Sequence, residues 1–95
     1  MIEVRLTADF TRWLDGLRDA AARLRVVARI RWVEIGNIGD AKYFDGIGEL
    51  RIDHGPGYRL YFVKAGSSVI ILLCGGDKST QKRDIAKAKQ MAKEI

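Results

Sequence analysis

The chain contains one cysteine, one proline and one histidine in 95 residues. A lone cysteine closes no internal disulfide. Cys74, set inside an apolar run, therefore reads as a small buried hydrophobe in a reducing compartment, the cytoplasm. One histidine and one cysteine far apart make no zinc site of the usual kind, and no phosphate-loop or dinucleotide fingerprint is present. Neither metal nor cofactor is expected. The scarcity of proline, with 47% hydrophobic and 31% charged residues, excludes disorder and low complexity. Long apolar runs are missing too: the longest, Val69 to Cys74, has six residues, where a membrane-spanning helix takes about 20. The start, Met1-Ile2-Glu3-Val4-Arg5, lacks the layout of a signal peptide. Residues 1–95 are expected to form a single small domain.

Negative charge is also in short supply. Seventeen Lys and Arg face 12 Asp and Glu, leaving +5. The excess lies at the two ends: residues 1–36 carry 7 basic and 5 acidic groups, and residues 77–95 carry 6 and 3. Such a balance suits a polyanion partner, either nucleic acid or an acidic protein segment, or else a solvated basic surface.

Periodicity divides the chain into two halves. Ile2, Val4 and Leu6 alternate as a short strand. Thr7 offers an N-cap to a helix whose apolar face is Phe10, Trp13, Leu14 and Leu17. Asp19 caps a second helix with Leu24, Val27, Ala28 and Ile35 as its expected buried stripe and Gly36 as its stop. Gly36 to Gly48 carries turn dipeptides throughout. Then the period falls to two: Glu49–Asp53 and Tyr58–Lys64 read as strands, and Val69–Cys74, apolar on both faces, reads as a central strand that Gly75-Gly76 ends. Ser79 and Thr80 are expected to cap a final helix with Ile85, Ala88, Ala92 and Ile95 on its stripe. The resulting order is strand, helix, helix, strand, strand, strand, helix. It predicts an α+β fold: a mainly antiparallel sheet of three to four strands with a helical hairpin on one face. The other face would stay partly open and display Arg51 and Arg59.

Three segments carry the chemistry: Gly48-Glu49-Leu50-Arg51, Gly55-Pro56-Gly57-Tyr58-Arg59-Leu60-Tyr61-Phe62, and Leu73-Cys74-Gly75-Gly76-Asp77-Lys78-Ser79-Thr80-Gln81. With Phe10-Thr11-Arg12-Trp13-Leu14 and Gly36-Asn37-Ile38-Gly39-Asp40, they make the chain resemble, essentially end to end, the RelE/ParE superfamily of toxin–antitoxin toxins. Within it the chain looks like the HigB-like branch, the phage-derived addiction-module killer proteins. The resemblance implies the RelE-like β-α-α-β-β-β-α fold, the order already read from periodicity. It also implies a ribosome-dependent, metal-independent endoribonuclease that cuts mRNA and so inhibits translation. The implied partners are the ribosome with its mRNA and a cognate antitoxin, a helix-turn-helix protein, in a hetero-oligomer. Two other functions stay open: a ParE-like poison of DNA gyrase, and a non-catalytic antitoxin-binding regulatory module.

The resemblance also assigns residues. Arg59 matches the arginine set against the scissile phosphate, where the competing role is an ion pair with Asp53 or Glu49. Arg51, off the Leu50/Ile52 face, and Lys78, after the glycine pair, complete a catalytic set. A cross-strand ion pair competes for Arg51. Lys42, Tyr58, Tyr61 and Lys82 are candidates for RNA binding; the tyrosines either stack on a base or pack in the core, and Lys42 either meets phosphate or is a loop charge. His54, with its near-neutral pKa, and Asp77 are candidates for proton transfer, against roles as a turn residue and a helix cap. Where related toxins carry a tyrosine on the last helix, this chain has Asp84 and Ile85. Trp32, among arginines, reads either as an antitoxin anchor or as edge packing.

Overall fold

The computed structural model describes residues 1–95. In order they form β1 (Glu3–Leu6), α1 (Ala8–Asp15), α2 (Ala20–Glu34), β2 (Ala41–Phe44), β3 (Ile47–Ile52), β4 (Tyr58–Lys64), β5 (Val69–Asp77), a 3-10 turn (Lys78–Thr80) and α3 (Gln81–Lys93). One five-stranded sheet results, ordered β1-β5-β4-β3-β2. Strands β2 to β5 form an antiparallel meander, and β1 joins β5 in parallel at the far edge. No helix is long and apolar enough to cross a membrane.

Local chemistry places most boundaries. The Thr7 hydroxyl accepts the Phe10 N–H at 3.0 Å and donates to the Leu73 carbonyl at 2.6 Å, so the cap of α1 is also its tie to β5. Asp19 caps α2 through the Ala21 and Ala22 amides. Gly36, at φ +94°, ends that helix in the left-handed conformation a glycine adopts freely. One expectation fails here: the segment 36–48 is not all turn. Ala41–Phe44 pairs with β3 through a two-residue hairpin in which Asp45 and Gly46 both take positive φ. An Asp-Gly dipeptide flanked by β-prone residues is the signature of that hairpin.

The sheet is covered on both faces. Phe10, Ala22, Val26, Val33, Leu50, Ile52, Tyr58, Leu60, Phe62, Ile70 and Leu72 form the core under α1 and α2. Ile47, Tyr61, Leu73, Cys74 and Ala88 form a second core under α3. The face expected to be open is therefore closed along most of its length. The Ile95 end of the predicted α3 stripe lies in solvent. A register shift between Tyr61 and Phe62 lets Leu73 and Cys74, neighbours in sequence, both enter the α3-side core.

Two further corrections follow from close packing. The strand β5 continues through Gly75-Gly76 to Asp77. These glycines do not break the strand; they let helices touch it. A Cβ at Gly75 would overlap the Trp13 ring on one face, and a Cβ at Gly76 the Asp84 carboxylate on the other. On α2, the buried residues are Ala22, Val26 and Val33, with Ile30 packed beside them. Leu24 and Ile35, expected inside, are each 71% exposed, and Val27 is also in solvent. The helix is apolar on two sides, and periodicity alone favoured the larger residues.

Gly75→Ala is expected to destabilise the fold by about 1–3 kcal/mol through overpacking against Trp13. Urea denaturation measures it; an unchanged midpoint would contradict the close approach.

Candidate active site

Strand register sets the geometry. Leu50, Ile52, Tyr58 and Leu60 fill the α1/α2 core, so Glu49, Arg51, Arg59 and Tyr61 turn toward the α3 face. On that face Arg51 stands directly opposite Arg59, and Arg59 opposite Gly76. Like charges facing each other across a ladder repel, so each needs its own restraint. Arg51 Nη2 donates to the Asp40 carboxylate at 2.8 Å, the cross-strand ion pair anticipated for it. Arg59 pairs with neither Asp53 nor Glu49; its Nη1 donates to the Gly57 carbonyl at 3.0 Å. Gly57 has φ +83°, and a Cβ there would lie 2.8 Å from Arg59 Nη1, so the turn requires glycine for two reasons. The same carbonyl accepts the Lys78 N–H at 2.9 Å, which fixes the start of the 3-10 turn beside Arg59. Arg51 Nε and Arg59 Nε are both buried without a hydrogen-bond partner.

Under the arginines lies a polar layer that sequence reasoning missed. Glu49 is 2% exposed and accepts Gln81 Nε2 at 3.0 Å. Asp84, also buried, accepts the Thr80 hydroxyl. The fully buried Tyr61 hydroxyl makes no hydrogen bond, and burial, then the Glu49 and Asp84 charges, push its phenol far above the ordinary value. One signal was legible: Thr80 and Asp84 are four residues apart at a helix start. That Glu49 would be buried was not, because alternation assigns a face and not its covering.

The remaining candidates fall into distinct places. Lys42 stands opposite Glu49 on β2 and is exposed on the same face; Lys82 is exposed on the first turn of α3. Tyr58 and Tyr61 present no ring face to solvent, since Tyr58 packs edge-on to Trp13 and Tyr61 lies in the second core. Asp77 accepts the Ser79 N–H at 2.8 Å and the Ser79 hydroxyl, so it caps the 3-10 turn. Those hydrogen bonds, with the Arg59 charge as a smaller contribution, hold its carboxyl below the usual range. His54 is not brought to the arginines. Its Nε2 lies 3.2 Å from Asp19, and its ring stacks on Tyr58, which faces the other core. Burial pushes the Cys74 thiol up to about 11, which leaves it protonated at neutral pH. No three His, Cys, Asp or Glu side chains converge as a metal site would need.

The hydrogen bond from Arg51 holds the Asp40 carboxyl below its ordinary value, and the Arg51 charge adds to this. A folded-state pKa below the unfolded one adds stability above the unfolded value, and that stability is lost as pH falls through the folded one. An NMR titration should therefore find the Asp40 midpoint below that of a free aspartate, and Arg51→Ala should raise it. A midpoint unmoved by Arg51→Ala would remove the pair.

The family model described as phage derived protein Gp49-like (DUF891) matches residues 12–93. An uncharacterized protein of Haemophilus influenzae is 47% identical over 95 residues, covering 99% of this chain and 96% of that one. Among solved structures, a chain of the toxin–antitoxin complex RelBE2 from Mycobacterium tuberculosis superposes with a TM-score of 0.58 at 20% identity, over 81% of this chain and 98% of that chain. The fold expected from the sequence, a RelE-like sheet with a helical hairpin, is thus present, and the chain belongs to the Gp49-like family of phage-derived proteins.

Proposed function

We propose that this chain is the toxin of a type II toxin–antitoxin module, of the HigB-like branch, and cuts mRNA on the ribosome. One observation carries the reading: Arg51 and Arg59 face each other on one rim of the sheet, each with an unpartnered Nε, and Lys78 is tied beside them. An anion between two opposed guanidiniums turns their repulsion into attraction, and guanidiniums hold phosphate oxygens bidentately without losing their protons. The Gp49-like family and the RelE-like fold support the same assignment.

The chemistry is attack of a ribose 2′-oxygen on the adjacent phosphorus. The O2′–P bond forms as the P–O5′ bond breaks; the 2′-hydroxyl loses a proton and the 5′-oxygen gains one. Arg59, free of any carboxylate partner, takes the non-bridging oxygens as negative charge builds on them. Arg51, steadied by Asp40, supplies the second guanidinium. Lys78 serves the leaving oxygen. These cations provide the charge neutralisation that the step needs, and the cytoplasm is its setting. No aromatic ring of β4 is placed for stacking, so the bases are held by their backbone and by the ribosome.

A cognate antitoxin is the second partner. The outer side of α2 exposes Leu24, Val27, Trp32 and Ile35, with Trp32 55% exposed. Arg18, Arg25 and Arg31 flank them in solvent. Beside them lies a cavity of about 340 Å³ lined in part by Arg25, Arg29 and Trp32. An apolar stripe edged with arginines fits an amphipathic acidic segment.

Regulated expression in bacteria with primer extension on a reporter mRNA tests the activity. Wild type should give translation-dependent cuts. Arg59→Ala should lose about 10²-fold or more, Arg59→Lys should recover only part of that, and His54→Ala should change little. Full cleavage by Arg59→Ala would sink the assignment, and intact mRNA with gyrase-dependent DNA breaks would replace it with gyrase poisoning. Antitoxin affinity should weaken about tenfold or more as salt rises, because exposed charges are screened beyond ~10 Å at 0.1 M; a salt-independent affinity would take charge out of that interface.

A further inference from the structure

Arg29, midway along α2, commits its whole guanidinium to backbone carbonyls. Nε and Nη2 donate to the Ile38 carbonyl at 3.2 and 3.1 Å, Nη2 also to the Asp40 carbonyl at 2.7 Å, and Nη1 to the Arg51 carbonyl at 2.7 Å. The ladder between β2 and β3 has its last registered pair at Ala41 and Leu50. Beyond it the Arg51 N–H still reaches the Asp40 carbonyl at 3.0 Å, but the Arg51 carbonyl is taken by Arg29. Arg29 thus stands in for a missing rung of the sheet. Gly39, at φ +72°, lets the loop lie flat on the guanidinium; a Cβ there would sit 3.0 Å from Arg29 Nη2.

The consequence falls on Arg51. Its ion pair with Asp40 is solvent-facing, with the two side chains 37% and 58% exposed, and such pairs order their partners weakly. What makes this pair directional is the backbone that carries both residues, and Arg29 grips that backbone on each side. Resting on the reading that Arg51 works on phosphate, we propose that Arg29 is a positioning residue: a rigid fork from the helical layer that aims Arg51 without touching substrate. Lysine would keep the charge but lose the fork, since one ammonium cannot span three carbonyls.

The test uses Arg29→Lys in ribosome-dependent cleavage and in NMR titration of Asp40. The turnover rate should fall about tenfold or more, the scale of a misplaced catalytic group, with KM within about twofold. In an Arg51→Ala background the further loss from Arg29→Lys should vanish, because both changes act through one group. The Asp40 midpoint should rise in Arg29→Lys, a readout that needs no cleavage. Should Arg29→Lys fail to fold, Gly39→Ala displaces the same guanidinium from the loop side and should shift turnover and titration in the same directions. Full turnover with an unmoved Asp40 midpoint, or losses that multiply with Arg51→Ala, would overturn the proposal while leaving the nuclease reading to Arg59→Ala. Absence of cleavage in the wild type would instead end that reading, and the Asp40 titration would still decide whether Arg29 orders the pair.

Discussion

Two arginines placed opposite one another in an antiparallel ladder are an arrangement that a sheet ordinarily avoids. Much of this molecule is organised around tolerating it. Asp40 answers Arg51 from the residue just before β2, and the Gly57 carbonyl answers Arg59 from the turn just before it. Neither answer is complete: Arg59 has no salt bridge, and both Nε atoms are buried without a partner. Buried donors left unpaired cost free energy that the fold must supply elsewhere. In the proposed reading, a phosphate supplies the partner that both atoms lack.

The surplus comes from a sheet buried on both faces. Helices α1 and α2 close one side and α3 the other. Gly75 and Gly76 are the hinge of that arrangement in a packing sense. One admits Trp13 and the other Asp84, so β5 is pressed between two helical layers at the point where Asp77 and Lys78 leave the sheet. Gly76 alone leaves room for the Thr80–Asp84 pair over β5, directly opposite Arg59. Packing and site placement are therefore one constraint: a bulkier residue at 76 would push away the Asp84 carboxylate.

How much of this could be read in advance depended on whether the signal was local. Alternation placed Arg51 and Arg59 on a common face, and caps at Thr7 and Asp19 located two helix starts correctly. The turn before Tyr58 announced itself as Gly-Pro-Gly. The helical hairpin on one face was also legible, and what failed lay in which residues and which second layer cover a surface. Helix α2 is apolar on two sides, and only the packed structure selects Ala22, Val26 and Val33 over Leu24 and Ile35. The glycine pair read as a strand end because its purpose, room for Trp13 and Asp84, lies in residues about 60 positions before and 8 after it. Arg29 lies off the stripe expected for α2, and the carbonyls it holds belong to residues 9 to 22 positions away. His54, read either as a proton carrier or as a turn residue, sits across the sheet with Asp19.

In the proposed reaction the opposed arginines hold a phosphate while its neighbouring ribose oxygen attacks it. The most direct measurement is the chemical nature of the cut ends. Purified protein is added to ribosomes programmed with a synthetic message, and the fragments are read by mass spectrometry. Attack by the 2′-oxygen leaves an upstream fragment ending in a 2′,3′-cyclic phosphate or its hydrolysed 3′-phosphate, a downstream fragment beginning with a 5′-hydroxyl, and no cut where the 2′-oxygen is methylated. A 5′-phosphate on the downstream fragment, or cutting that persists through 2′-O-methylation, would contradict it.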